Sequence, residues 1–219
     1  MGGYSSEKKK VANIRRDYAL EKLTESSVDE NPINQFMVWF EQATSADLLD
    51  ANGMVLSTAS KKGIPSSRVV LLKGVDENGF RFYTNYGSQK GRELGENPHA
   101  ALCFYWAALE RQVRIEGNVE KAAREDTEAY FRERPRTSQI GAWASHQSVR
   151  VKSREELDNR YKELEQKYEG QEVPVPDFWG GFLLRPRKIE FWQGRKDRMH
   201  DRICYEKDDE SWKMYRVAP

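Results

Sequence analysis

The chain has 219 residues, with 36 Lys and Arg against 35 Asp and Glu, so its formal net charge is +1. This length is sufficient for one domain with a substantial core. Because the charges balance, neither nucleic acid nor an anionic membrane is an expected partner. The two cysteines, Cys103 and Cys204, lie far apart with no C-x-x-C spacing. This usage indicates reduced core thiols, no metal site and a cytoplasmic location.

The N-terminal residues have the composition of a solvated tail. Residues 1–10 are rich in Gly, Ser and Lys, and they lack the apolar run of a signal peptide or a membrane span. We therefore expect a disordered tail over residues 1–14 and a single domain over residues 15–219.

The first periodic segment predicts an amphipathic helix with Asn31 as N-cap and Pro32 in the first turn. Its apolar residues recur at helical spacing, and we expect them to face the core: Ile33, Phe36, Met37, Phe40 and Ala43. From Val55 the period changes to that of strands, which are predicted at 55–59, 68–73, 80–84, 100–106 and 112–120. Residues 76–79 have the composition of a hairpin loop, and residues 62–65 separate the first two strands.

The second half of the chain inserts helices before it returns to strands. Residues 125–134 predict a helix that Pro135 stops, and Ser153 opens a capping box for a helix that runs to about Tyr168. Strands are predicted again at 182–184, 188–192 and 212–217. This order predicts a mainly β fold of the α+β class, an antiparallel barrel with helices packed outside.

Two segments of the predicted sheet carry cations that could bind anions. Arg68 and Lys73 bracket an apolar strand, and alternation along that strand would direct them to opposite faces. Charged residues also occur at strand ends simply because those ends reach water. Residues 83–90 run from a strand through a polar turn to a helix start with Lys90, and they could present hydroxyls, N–H groups and an ammonium to a phosphate.

A third segment predicts a phosphate clamp. Tyr130 and Arg134 are four residues apart on a predicted helix, hence on one face, and Ser138 follows the break at Pro135. A phenol, a guanidinium and a hydroxyl that converge could hold a phosphate, with Arg binding two oxygens at once. The alternative is a surface Arg stacked on a Tyr.

A fourth segment places a histidine between two arginines. Arg198, His200 and Arg202 alternate in a segment predicted to be extended, so they would share one side. Neighbouring Arg side chains favour the neutral form of His, which suits contact with a substrate oxygen or proton transfer near pH 7. A lone His is more often structural. The sequence contains no G-x-S-x-G elbow, P-loop, H-E-x-x-H or Rossmann glycine fingerprint.

Taken in order, several stretches resemble the pyridoxine 5′-phosphate oxidase family, from about Arg15 to Pro219. The most specific are RVVLLK at 68–73, RPRTSQIGA at 134–142, FWGG at 178–181, EFWQG at 190–194, RMHDR at 198–202 and RVAP at 216–219. The resemblance implies an FMN-binding split β-barrel that forms a homodimer, with FMN held at each subunit boundary by residues of both chains. It also implies oxidation of pyridoxine or pyridoxamine 5′-phosphate to pyridoxal 5′-phosphate, by hydride transfer from C4′ to FMN, with O₂ giving H₂O₂.

The resemblance also implies site residues at the matching positions. Those that match FMN contacts are Arg68, Val69, Val70, Leu71, Leu72, Lys73, Tyr83, Thr84, Gln89, Lys90, Gln112, Gln147, Ser148, Trp192 and Arg202. Those that match substrate contacts are Lys73, Tyr130, Arg134 and Ser138 for the phosphate, and Arg198, Met199 and His200 for the ring, with Arg198 and His200 as the catalytic pair. Arg15, Arg16, Asp17 and Tyr18 resemble a segment that folds over the site.

One position departs from the family pattern, because Gln89 stands where an Arg usually precedes the lysine. Losing a cation beside a bound phosphate would weaken FMN binding by about 1 to 3 kcal/mol. Two other functions stay open: another split-barrel flavoprotein such as a flavin reductase, and a non-catalytic carrier of FMN or pyridoxal phosphate. A reductase needs no second phosphate site, and a carrier would release no peroxide.

Overall fold

In the computed structural model, an antiparallel sheet of nine strands curls into a half-barrel with helices around it. The structure describes residues 17–46, 48–209 and 211–219. The predicted tail at 1–14 and the site residues Arg15 and Arg16 lie outside these ranges. The strands are β1 (Gly53–Ala59), β2 (Pro65–Leu71), β3 (Gly74–Asp76), β4 (Gly79–Asn85), β5 (His99–Trp106), β6 (Arg111–Lys121), β7 (Trp179–Gln193), β8 (Asp201–Asp208) and β9 (Ser211–Arg216).

Strand β7 is the longest, with 15 residues, and it joins two wings of the sheet. It pairs with β6 over most of its length. Its first half also pairs with β4, and its second half pairs with β8. The strand order is β2-β1-β5-β6-β7-β4-β3, with β8 and β9 branching from β7. A register shift beside Gly117 bends the pairing of β6 with β7, as β-bulges do.

Five α-helices lie within the described residues: α1 (Pro32–Ser45), α2 (Gln89–Glu96), α3 (Arg124–Glu133), α4 (Arg136–Ala144) and α5 (Arg154–Lys167). Two predicted caps are confirmed. The Asn31 side chain accepts a hydrogen bond from the N–H of Ile33, and the Ser153 side chain accepts one from Glu156. Across the parts of the chain that the structure covers, no helix is long and apolar enough to cross a membrane.

Two hydrophobic clusters hold these layers together. The larger one fills the half-barrel beneath α1 with fully buried side chains such as Phe36, Phe80 and Phe104. The smaller one joins α3, α4 and the start of β7 through Phe131, Ile140 and Trp179. Burial of these apolar surfaces is the main favourable term for packing the helices against the sheet.

The predicted α+β fold with a mainly β sheet is confirmed, but several local predictions were wrong. Met37 is 44% exposed although helical spacing placed it toward the core. The strands predicted at 182–184 and 188–192 are parts of the single strand β7. Strands β3 and β8 and helix α4 were not predicted as separate elements.

Three further predictions that concern candidate site residues were also wrong. Arg134 lies just beyond α3 in an extended conformation, because a residue before proline avoids helical geometry. Arg198 is not in an extended segment, because Asp197 and Arg198 have φ values of 57° and 60° and form a turn before β8. Lys73 lies after the end of β2 at Leu71, so strand alternation does not set its direction relative to Arg68.

Candidate active site

A cavity of about 450 Å³ lies between β2, β4, the start of β7 and helices α2 to α4. Eleven of the residues predicted to contact the substrate or the cofactor meet there. The predicted residues that line it are Val69, Val70, Leu71, Lys73, Tyr83, Thr84, Lys90, Tyr130, Arg134, Ser138 and Gln147. Tertiary structure therefore unites residues from six separate segments of the chain.

One end of the cavity carries the predicted clamp of Tyr130, Arg134 and Ser138, together with Lys73. The Lys73 ammonium lies 6.0 Å from the centre of the Tyr130 ring. Helix α4 begins just after Pro135 and brings Ser138 back toward Arg134. These residues surround one polar recess with two cations and two hydroxyls, a donor set that suits a phosphate.

The Arg134 guanidinium is held by aromatic rings on the cavity wall. Its Cζ lies 4.6 Å from the centre of the Trp179 ring and 5.6 Å from that of Phe131. Burial lowers the pKa of Arg134, yet a guanidinium stays protonated in proteins. Within the described residues, its Nη1 atom is buried without a hydrogen-bond partner. A buried cationic donor of this kind is strongly favourable only when an acceptor reaches it.

Stacked aromatic rings form the wall beside the clamp. Tyr83 lies between Tyr130 and Trp179, with ring centroids 4.0 Å and 5.5 Å away. Burial raises the pKa of Tyr83, so its phenol stays protonated. Gly181 makes the stack possible, because a Cβ there would lie 2.9 Å from the Tyr83 ring. The FWGG stretch therefore supplies both the Trp179 ring and, at Gly181, the space for the Tyr83 ring.

The opposite end of the cavity is built around Lys90, which is 8% exposed. Its ammonium donates to the Thr84 hydroxyl at 3.2 Å and to the Gln147 side-chain oxygen at 3.1 Å. Burial lowers the pKa of Lys90, and the charge of Arg68 lowers it further. A lysine held in this way is a second anion-binding point within the same cavity.

Arg68 and Gln89 were predicted to contact the cofactor, but both side chains bond to Glu93. The Glu93 carboxylate accepts from Gln89 at 2.9 Å and from Arg68 at 3.4 Å. It also accepts from the hydroxyls of Thr58 and Ser66. Burial alone would raise the pKa of Glu93, but these hydrogen bonds and the Arg68 charge lower it to about 2. Arg68 therefore stands beside the cavity in a buried polar network.

A second cluster of predicted residues lies near the end of β7, around Trp192. The Trp192 ring is 4.6 Å from that of His200 and 5.8 Å from that of Tyr18. The His200 Nδ1 atom accepts a hydrogen bond from the Arg195 backbone N–H at 3.0 Å. Burial lowers the pKa of His200, and the Arg198 charge lowers it further. The neutral ring therefore carries its proton on Nε2, where it can donate.

Most of the remaining predicted residues lie at or near the second cluster. Arg202 pairs with both carboxylate oxygens of Glu190 at 2.9 Å, and β-sheet register puts Gln112 and Arg202 opposite Trp192. Arg198, Met199 and Asp17 are exposed near this second cluster. Leu72 is buried in the core, and Ser148 is exposed with a φ of 68°.

The two clusters lie at opposite ends of β7. Trp179 is the first residue of that strand, and Trp192 is the last but one. A strand rises about 3.3 Å per residue, so thirteen residues separate the two rings by up to about 40 Å. Within one chain, His200 and Arg134 therefore do not border the same cavity.

Sequence reasoning missed several residues of these clusters. Asn85, Ser145 and Trp179 also line the cavity, and Trp179 belongs to a stretch that had no assigned role. Glu93 and Glu110 carry buried carboxylates beside predicted site residues. The sequence signal for Glu93 is its spacing of four residues from Gln89. Because such pairs are common on exposed helices, this spacing does not indicate a site.

Two family models match successive parts of the chain. Residues 40–168 match the family model described as "Pyridoxamine 5′-phosphate oxidase". Residues 179–219 match a second one, described as "Pyridoxine 5′-phosphate oxidase C-terminal dimerisation region". The second range contains all of β7, β8 and β9.

Close relatives extend over nearly the whole chain. A pyridoxine/pyridoxamine 5′-phosphate oxidase of Rubrobacter xylanophilus is 53% identical over 95% of this chain and 96% of its own length. A pyridoxine/pyridoxamine 5′-phosphate oxidase of Trichormus variabilis is 52% identical over 95% of this chain and 98% of its own length. The crystal structure of PhzG from Burkholderia lata 383 in complex with tetrahydrophenazine-1-carboxylic acid has a TM-score of 0.86 and 30% identity, covering 91% of this chain and 99% of that one. The chain therefore belongs to the pyridoxine/pyridoxamine 5′-phosphate oxidase family.

Proposed function

We propose that this chain oxidises pyridoxine 5′-phosphate and pyridoxamine 5′-phosphate to pyridoxal 5′-phosphate as an FMN-dependent homodimer. The observation that carries this proposal is Arg134, which lines the cavity together with Lys73, Tyr130 and Ser138. Among the residues described, nothing satisfies its buried Nη1 atom. The names of the relatives, which share over half of their residues with this chain, support the same substrates.

The clamp binds the substrate phosphate in this proposal. Arg134 can donate two parallel N–H bonds to phosphate oxygens, and Lys73 adds a point charge. The rings of Phe131 and Trp179 hold the guanidinium in place, so little side-chain freedom is lost on binding. The hydroxyls of Tyr130 and Ser138 complete the donor set. Phosphorylated and unphosphorylated forms of the vitamin are thereby distinguished.

The Lys90 end of the cavity fits the phosphate and ribityl chain of FMN. The buried ammonium, the Thr84 hydroxyl and the Gln147 amide already form one network that can exchange its internal bonds for bonds to a ligand. Arg68 adds positive charge from behind this network. The chemistry that FMN supplies when bound is acceptance of a hydride from C4′, with O₂ as the final acceptor giving H₂O₂.

We assign ring positioning to Arg198 and His200. The His200 Nδ1 atom is already engaged by Arg195, so Nε2–H is the group left to donate to the substituent at C4′. Burial and then the Arg198 charge lower the pKa of His200 and keep the ring neutral, and Arg198, as an arginine, is itself no base. Both residues would orient the substrate and stabilise charge that develops at its ring.

A homodimer brings the two clusters together in this proposal. Because His200 and Arg134 lie at opposite ends of β7, one copy would supply the clamp and the other would supply His200 and Trp192. A two-fold axis would make two equivalent sites of this kind. The match of residues 179–219 to a dimerisation region supports this assembly.

The experiment is to purify the protein, record its flavin absorbance with and without added FMN, and supply pyridoxine 5′-phosphate in air. We expect a yellow protein that produces one aldehyde and one H₂O₂ per turnover, with far less product from unphosphorylated pyridoxine. Flavin binding without aldehyde or peroxide would instead indicate a carrier. A colourless protein that ignores added FMN would overturn the proposal.

A further inference from the structure

Glu110 is a buried carboxylate outside the candidate cavity, at the turn between β5 and β6. It is 3% exposed, and its backbone has a φ of 56° and a ψ of 36°. This left-handed conformation is uncommon for a residue other than glycine. A buried acid in a strained turn is costly unless its oxygens are used.

The Glu110 side chain binds the first described segment of the chain. Its Oε2 atom accepts hydrogen bonds from two consecutive backbone N–H groups, those of Ala19 at 2.8 Å and Leu20 at 3.1 Å. These partners lie about ninety residues away in sequence. Bonds between a carboxylate and backbone N–H groups are charge-assisted and stronger than neutral ones.

The Glu110 backbone binds the segment that leads to His200. Its carbonyl oxygen accepts from the Gly194 N–H at 2.7 Å and from the Gln193 side chain at 3.2 Å. One residue therefore ties the chain just after Tyr18 to the chain just after Trp192. The two segments are held in a fixed relation by a single turn.

Tyr18 is the residue placed by this connection. Its ring packs on Gly194, where a Cβ would lie 2.6 Å from a ring carbon, so only glycine leaves room. The ring meets Trp192 edge-on at 5.8 Å and His200 edge-on at 5.6 Å. Tyr18 thus forms a wall of the cluster that carries the proposed ring-positioning histidine.

We infer that Glu110 is a positioning residue that seats Tyr18 against Trp192 and His200, and so shapes the ring-binding half of the site. The effect on substrate binding rests on the proposed function, but the role of Glu110 in positioning Tyr18 does not depend on that function. Further along, Arg195 and Arg216 hold the carbonyls of Glu21 and Leu23. Of these three anchors, Glu110 holds the residues that are nearest to Tyr18 in sequence.

The test compares Glu110→Gly, Glu110→Gln and a matched control, Glu120→Gln, at the exposed far end of β6, the strand that begins just after Glu110. Glycine suits the positive φ, so the Glu110→Gly variant keeps the turn and loses only the carboxylate. Glutamine keeps one acceptor oxygen and should rescue part of the effect. Hydrogen–deuterium exchange of residues 17–23 reports the seating directly.

We expect faster exchange at Ala19 and Leu20 in Glu110→Gly, an intermediate rate in Glu110→Gln and no change in Glu120→Gln. The KM for pyridoxine 5′-phosphate should rise by about tenfold in Glu110→Gly, as for loss of one charged hydrogen bond, while kcat changes little. Tyr18→Ala should match this rise, and the double variant should be no worse than Tyr18→Ala alone.

Unchanged exchange at Ala19 and Leu20 in Glu110→Gly would overturn the inference. Additive effects of Glu110→Gly and Tyr18→Ala on KM would also overturn it, because Glu110 would then act by another route. The exchange measurement holds whether or not the chain proves to be an oxidase. Failure of the seating and failure of the proposed function are therefore distinguishable.

Discussion

The Arg134 guanidinium lies 4.6 Å over the ring of Trp179, although the two residues are far apart in sequence. Trp179 opens β7, and Arg134 lies in the extended link between α3 and α4. The indole supports the cation in a largely buried position on the wall of the cavity. The proposed specificity for a phosphorylated substrate depends on this contact.

Replacing Arg134 should therefore affect the phosphate selectively. We expect Arg134→Ala to lower kcat/KM for pyridoxine 5′-phosphate by about 10- to 100-fold, as for loss of charged hydrogen bonds. Arg134→Lys keeps a charge but loses the two-pronged geometry, so its kcat/KM should lie between those of the wild type and Arg134→Ala. Arg132→Ala, an exposed residue on α3, is the control. An equal loss toward unphosphorylated pyridoxine would contradict the role given to Arg134.

Mixing two impaired variants should restore activity if the site is shared between copies. In a heterodimer of Arg134→Ala and His200→Asn, one site carries both changes and the other carries neither. Random exchange at equal amounts should therefore recover about one quarter of wild-type activity, because half of the dimers are mixed and each has one intact site. Steady-state turnover after refolding the mixture measures this recovery. No recovery despite proven subunit exchange would argue that each site belongs to one chain.

The charge of Arg198 should contribute to the lowered pKa of His200. Burial lowers this pKa first and Arg198 lowers it further, so Arg198→Ala should move it up, toward 6.5. The chain has three histidines, so replacing His99 and His146 by Gln leaves one imidazole signal to titrate by NMR. The acidic limb of kcat/KM should move to higher pH in parallel. An unshifted His200 signal in Arg198→Ala would refute this coupling.

Glu93 should stabilise the fold in a pH-dependent way. Its pKa is about 2 in the folded chain against 4.5 for an unperturbed Glu, so its stabilising effect is complete above pH 4.5 and is lost as the pH falls toward 2. We expect Glu93→Gln to reduce the free energy of unfolding by about 1 to 3 kcal/mol at pH 7. Urea unfolding at pH 7, 5 and 3 should show this deficit shrinking with acid. A deficit that stays constant would mean that the ionised carboxylate is not its cause.

Local patterns in the sequence were sufficient for most elements of the fold. The caps at Asn31 and Ser153 and the turn residues between the first strands act over a few residues, so they are legible without tertiary contacts. Helix α4 and the single long strand β7 were missed, because their limits depend on packing around Trp179 and on pairing with three other strands.

By itself, the sequence determined which residue types are available to bind phosphates, and the order of strands and helices that carries them. Tertiary structure alone decided where they meet. Arg134 and Lys73 come together because α3 packs against the start of β7, whereas Arg68 bonds to Glu93 and His200 lies at the other end of the same strand. The physical reason is that spacing along a chain controls only neighbours within a turn or a strand, while burial of distant apolar surfaces places everything else.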